Sequence, residues 1–137
     1  MITSNRAGQF PAVIGKKPAR ILLVHAALAL QESHLLFLRS IPAIVETLAS
    51  CADMYLREEH GYALVILVLH SKSTETAEAA HFIRHRWSAA RILLLDGESV
   101  MIDDWLYDER IDPNVHPATV RGAAIRLMTE EKHWIAA

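Results

Sequence analysis

The stretch Ala63-Leu64-Val65-Ile66-Leu67-Val68-Leu69-His70 is apolar up to its last residue and is followed by a polar break from Ser71 to Thr74. A run this short, rich in branched side chains and closed by a polar break, reads as a strand covered on both faces, as at the centre of a parallel sheet. In open α/β folds the reactive groups gather at the carboxyl ends of such strands. The residue this run offers there is Val68, which carries no reactive atom.

On the amino-terminal side, Arg20 to Val24 (Arg-Ile-Leu-Leu-Val) reads as a first strand, and Leu28 to Ile41 as a helix with Leu28, Leu35 and Leu38 near one stripe. Pro42 ends it. Ala43 to Leu48 is a second, weaker strand, followed by a short helix over Ala52 to Glu59 and a turn at His60-Gly61. On the carboxyl-terminal side, Glu75 to Trp87 is a helix whose Ala80, Ile83 and Trp87 recur at steps of three and four, an inward stripe. Arg91 to Leu95 (Arg-Ile-Leu-Leu-Leu) is a fourth strand, and Leu106 to Ile111 a fifth, less apolar one, as at a sheet edge. Pro117 opens a last helix with Val120, Ala124 and Leu127 spaced to pack inward. Strands alternating with helices predict a parallel, doubly wound α/β sheet.

The chain has 137 residues, 52% of them hydrophobic, which is enough for one domain with a real core. Residues 1 to 18, with Gly8, Pro11, Gly15 and Pro18, read as an arm, 19 to 131 as the domain and 132 to 137 as a tail. A net charge of −2 gives no electrostatic case for a nucleic acid or an anionic membrane, so the expected partner is a protein. Cys51 stands alone, which excludes an intrachain disulfide and a cysteine-rich zinc site. No apolar run approaches the roughly 18 residues of a membrane span. These features predict a soluble, cytoplasmic protein. No cofactor is expected, because none of the five glycines forms a Gly-x-Gly pair.

The succession Arg-Ile-Leu-Leu-Val, Ala-Leu-Val-Ile-Leu-Val-Leu, Arg-Ile-Leu-Leu-Leu and then Asp103-Asp104-Trp105-Leu106 resembles the response-regulator receiver domain, the CheY-like phosphoacceptor module, over about residues 19 to 130. The resemblance implies a flavodoxin-like five-stranded parallel sheet in the order 2-1-3-4-5. It also implies four landmarks, and each is substituted. The acidic pair that holds magnesium after the first strand falls on His25 and Ala26. The acceptor aspartate falls on Val68. The Thr or Ser that senses the phosphate falls on Asp96, and the lysine at the end of the fifth strand on Asp108 or Glu109.

Phosphoryl transfer needs an acceptor oxygen, a divalent cation and a cation or hydroxyl to hold the transferred group. Val68 has no nucleophile, and magnesium loses the paired oxygens it prefers. The chain is therefore read as a pseudo-receiver, not an enzyme, that works through protein–protein interaction. Only ten residues separate Leu95 from Leu106, about the minimum for a crossover including its helix. The fourth crossover helix is expected to be shortened or missing, and Trp105, at the place of the family's switch aromatic, to be packed statically in the core or at its rim.

An alternative reading uses the crevice between the first and third strands, where His25 and His70 would face each other with Asp96 on the adjacent strand. Two imidazoles and a carboxylate could ligate Zn²⁺ or Fe²⁺. The competing reading has His25 and Asp96 bonded to each other or to backbone. His81 and His85 have helical ligand spacing, but Arg84 and Arg86 flank them and favour a solvated basic face. Cys51 reads as an inert thiol. Lys16, Lys17 and Arg20 read as solubility or docking charges. A homodimer through the last strand and helix is the expected assembly, with Val120, Ala124, Leu127 and Trp134 as interface candidates and Phe10 and Ile14 as clasps.

Overall fold

A computed structural model describes residues 13–14, 17–25, 32–68, 73–96 and 102–129. Five parallel strands form one sheet: β1 (Arg20–His25), β2 (Ile44–Leu48), β3 (Tyr62–Val68), β4 (Arg91–Leu95) and β5 (Glu109–Ile111). Their order is β2-β1-β3-β4-β5, the expected 2-1-3-4-5. The register runs through His25 opposite Val68, Leu67 opposite Leu94 and Leu95 opposite Ile111. Ahead of the sheet, Val13–Ile14 pairs antiparallel with Lys17–Pro18, so part of the expected arm is a small hairpin.

Alternation along the strands sends side chains to two separate cores. On one face Leu22, Val24, Val65, Leu67, Ile92 and Leu94 pack with residues of α2 (Cys51–Tyr55) and α3 (Ser73–Arg86). On the other, Ile21, Leu23, Leu64, Ile66, Val68, Leu93 and Leu95 pack with α1 (Glu32–Arg39) and α4 (Pro117–Thr129). β4 is buried at every position, which is why its sequence carries no polar alternation.

Local chemistry sets several boundaries. Ser50 caps α2, its hydroxyl accepting from the Asp53 amide at 3.1 Å. The His116 ring nitrogen accepts from the Ala118 amide at 3.0 Å at the head of α4, and the same ring meets Phe37 of α1 edge-on. α1 is observed from Glu32, and the expected start at Leu28 lies outside the described residues.

Two expectations about the last third of the chain are corrected. The fifth strand does not begin at Leu106: Asp104–Leu106 closes a 3₁₀ turn, and the strand is confined to Glu109–Ile111. The physical reason is Leu106, which the turn buries against the α2 and α3 face, leaving too little chain to pair earlier. Val120, Ala124 and Leu127 are buried in the core beneath α4 and cannot form an interface while the domain is folded. Their spacing marks an inward stripe, and the sheet is what covers it. Trp134 and Phe10 lie outside the described residues.

Candidate functional site

The carboxyl edge of the sheet is where this architecture places functional groups. β1 ends there at His25, β3 at Val68, β4 at Leu95 followed by Asp96, and β5 at Ile111 followed by Asp112. His25 and Val68 are register partners on adjacent strands. Val68 is 2% exposed and belongs to the core cluster that includes Leu23, Leu95 and Val120. The position that the resemblance gives to the acceptor is therefore a packed apolar site. Ala26 and His70 lie outside the described residues.

Asp96 is committed elsewhere. Its carboxylate accepts from Arg110 Nε at 2.6 Å, and its amide donates to the Ile111 carbonyl at 3.1 Å. The two side chains are only 8% and 19% exposed. The Arg110 guanidinium also lies over the Tyr107 ring, 5.9 Å from its centre. Burial works against the Arg110 charge, and the Asp96 hydrogen bond and charge outweigh it, so its pKa is raised further. Asp96 thus serves Arg110 across β4 and β5, and of the competing reading, in which His25 and Asp96 bond to each other or to backbone, the mutual pairing is not formed. Among the described residues no three His, Cys, Asp or Glu side chains stand together as a metal site.

Asp108 and Glu109 do not occupy the carboxyl end of β5, and the sequence placement there is corrected. Glu109 is opposite Leu93, so both acids belong to the amino end of the strand. Asp108 accepts from the Ile92 amide at 2.7 Å and from Arg84 at 3.2 Å. Glu109 pairs with Arg126 of α4 at 2.6 Å. The acid at the carboxyl end is Asp112, whose side chain accepts from the Asn114 amide at 2.8 Å in a turn.

Among the described residues, the fourth crossover contains the 3₁₀ turn Asp104–Leu106, and the expected shortening of its helix falls partly on residues 97–101, outside the described residues. Trp105 is 60% exposed, so it is a rim residue and not part of the core. It is nevertheless held: its ring meets His81 edge-on at 5.1 Å, and its carbonyl accepts from Arg84 at 3.3 Å. His81 and His85 are exposed on α3, as expected of a solvated face.

The amino edge carries a second charged cluster that spacing did not reveal. Glu46 of β2 accepts from Arg20, Arg57 and the Tyr62 hydroxyl, the last at 2.9 Å. Arg20 also lies 4.9 Å from the Tyr62 ring centre. It is an internal tie, not the docking charge expected from Lys16, Lys17 and Arg20. Burial pushes the Glu46 carboxyl up, but donors from Arg20, Tyr62 and Arg57 together hold it below the usual carboxylate range. Trp87 Nε1 donates to the Glu59 carbonyl at 2.8 Å and fastens the loop before β3.

Cys51 is buried, and burial first, then Glu75 and Glu78, push its thiol up to about 11. It is an inert thiol, as expected. His34 of α1 is also buried, with neither ring nitrogen hydrogen-bonded, and only its position in the Leu38 stripe hinted at burial.

No family model and no curated protein matches the chain. Solved structures do. The response regulator DrrB of Thermotoga maritima, an OmpR/PhoB homolog, superposes with a TM-score of 0.63 at 16% identity, over 80% of this chain and 52% of that one. The BeF3-activated DrrB receiver domain gives 0.63 and 16% over 82% of this chain and 98% of its own. The chain therefore spans about half of DrrB and nearly all of its receiver domain. Among the described residues no helix is long and apolar enough to cross a membrane. The order of the strands, the two covered faces and these superpositions agree: the chain has a receiver-like, CheY-type flavodoxin fold.

Proposed function

We propose that this chain is a non-phosphorylatable receiver-like module that acts by protein–protein interaction, without catalysis and without a cofactor, in the cytoplasm. The observation that carries the reading is Val68, buried at the end of the central strand beside His25. An acyl phosphate cannot form on a side chain with no oxygen. A divalent cation gains nothing from a valine and an imidazole, since magnesium prefers oxygen ligands. The Asp96–Arg110 pair supports the same reading, because a buried cation that already has its anion has little to offer an incoming phosphoryl group. The exposed surface of the module then carries its output, through a partner or a second copy.

Treatment with acetyl phosphate and Mg²⁺, followed by intact-mass measurement, tests the chemical half. No added phosphoryl mass is expected, and a stoichiometric adduct that maps to an aspartate would end the proposal. Light scattering over a concentration series, with co-purification from the native host, tests the interaction half. A strictly monomeric chain that co-purifies with nothing would count against it.

A further inference from the structure

The two edges of the sheet are unequal. β5 is three residues long and carries Glu109 and Arg110, charges of the kind that keep an edge from pairing with another chain. β2 is five residues long, and none of its residues is fully buried. Its one charge, Glu46, is held by Arg20, Arg57 and the Tyr62 hydroxyl, so it does not guard the edge. The Ile44 amide donates to the Ala19 carbonyl at 2.9 Å, and the register from Arg20–Ile44 to Val24–Leu48 continues that bonding side through Glu46 and Leu48. Alternate residues of a parallel pair bond the neighbouring strand, so Val45 and Thr47 turn their N–H and C=O groups outward. Among the described residues no strand pairs with that side. Apolar surface accompanies it: Ile44 is 45% exposed, and Leu56, next to the Arg57 that holds Glu46, is 78% exposed.

We propose that β2 is the edge through which two copies of this chain pair, antiparallel about a two-fold axis at Glu46, joining their five-stranded sheets into one continuous sheet. The inference rests on the interaction reading above and names the partner as a second copy. In that register the strand is its own complement. Val45 stands opposite Thr47 of the second copy, and each such pair exchanges two backbone hydrogen bonds. Both residues are β-branched, which favours them as cross-strand neighbours. Ile44 stands opposite Leu48 of the second copy, on the side of the sheet where Leu48 already packs with α2. Glu46 meets its own copy at the axis, a like-charge contact that Arg20 and Arg57 offset in each chain. One patch paired with itself closes at two copies and leaves no free β2 edge.

The test is Thr47→Pro. The Thr47 amide bonds nothing within its own sheet, so proline there removes no internal bond, while it deletes one intermolecular bond from each Val45–Thr47 pair. Sedimentation equilibrium over a concentration series should show a monomer–dimer equilibrium for wild type, with the dissociation constant raised about 10- to 100-fold in Thr47→Pro. Thr119→Lys, on the exposed side of α4, should leave that constant unchanged. Amide exchange followed residue by residue should slow at Val45 and Thr47 as the wild-type concentration rises, while Glu46 and Leu48, bonded to β1, stay constant. Should Thr47→Pro fail to fold, Ile44→Lys decides, because it sets a charge opposite Leu48 of the second copy and should weaken the dimer about tenfold. A strict monomer, or Val45 and Thr47 amides already slow in the monomer because another part of the chain covers them, would overturn the proposal. A dimer that survives both variants refutes this surface and leaves the interaction reading standing, whereas failure of that reading shows as a monomer that co-purifies with nothing.

Discussion

Placing a carboxyl group at the end of the central strand by Val68→Asp is the sharpest test of whether that strand ends in a packed core or in a site open to solvent and ions. Val68 is 2% exposed among Leu23, Leu95 and Val120. Giving up its burial costs about 1.5–3 kcal/mol. Leaving a carboxyl group there without partners costs about 1–3 kcal/mol more. The sum, about 2.5–6 kcal/mol, is a large share of the roughly 5–15 kcal/mol that stabilises an ordinary domain. The expected drop in thermal midpoint is about 10–25 °C.

The loss should also depend on pH. Burial raises the folded-state pKa of the new carboxyl above its unfolded value of about 3.9. Such a group is least harmful below the unfolded value, where it is protonated in both states, and the deficit grows as pH rises towards the folded value. Urea unfolding followed by circular dichroism at pH 4, 5.5 and 7 reads this directly, with Val68→Asn as the shape-matched control whose deficit should stay constant. A Val68→Asp variant within about 1 kcal/mol of wild type, or one strengthened by Mg²⁺, would show that the position opens to solvent and to oxygen ligands, and the packing argument would fail.

Glu46 should give an opposite pH signature. Its folded pKa is depressed, so its contribution is present above the unfolded value near 4.3 and is lost as pH falls through the lower folded one. Wild-type stability should decline below about pH 4 more steeply than that of Glu46→Gln, and parallel curves would remove Glu46 as the cause. Cys51, with its thiol pushed up to about 11 and its side chain buried, should react with iodoacetamide at pH 8 far more slowly in the native protein than in urea. Equal rates, followed by mass spectrometry, would contradict that burial. Two glycines should respond with opposite signs to alanine. Gly61 has φ +89°, so Gly61→Ala should destabilise by about 1 kcal/mol, whereas Gly122, in open space within α4, should gain about 0.5–1 kcal/mol in the same unfolding assay.

Much of the framework was legible along the chain, and the reasons are local. Arg91 to Leu95 needed no context, because all five residues are buried and the run has no competing period. Ala80, Ile83 and Trp87 marked the inward side of α3 by spacing alone, and all three are buried. The apolar end of the central strand was readable for the same reason: Val68 closes an uninterrupted apolar run and is buried. Boundaries were weaker where tertiary packing competes with propensity. Leu106 is apolar enough for a strand, yet burial against the α2 and α3 face draws it into a 3₁₀ turn.

The covered parallel sheet and its helical partners were readable from the amino-acid order alone, because hydrophobic periodicity is a property of neighbours along the chain. The partner of each charge, by contrast, came from contacts distant in sequence. Asp96 meets Arg110 fourteen residues away, Arg20 meets Glu46, and Asp108 belongs to the amino end of β5. Those partnerships depend on strand register, where a shift of one residue sends a side chain to the other face of the sheet. Tertiary packing also leaves Trp105 at the surface, 60% exposed, which its apolar character did not reveal.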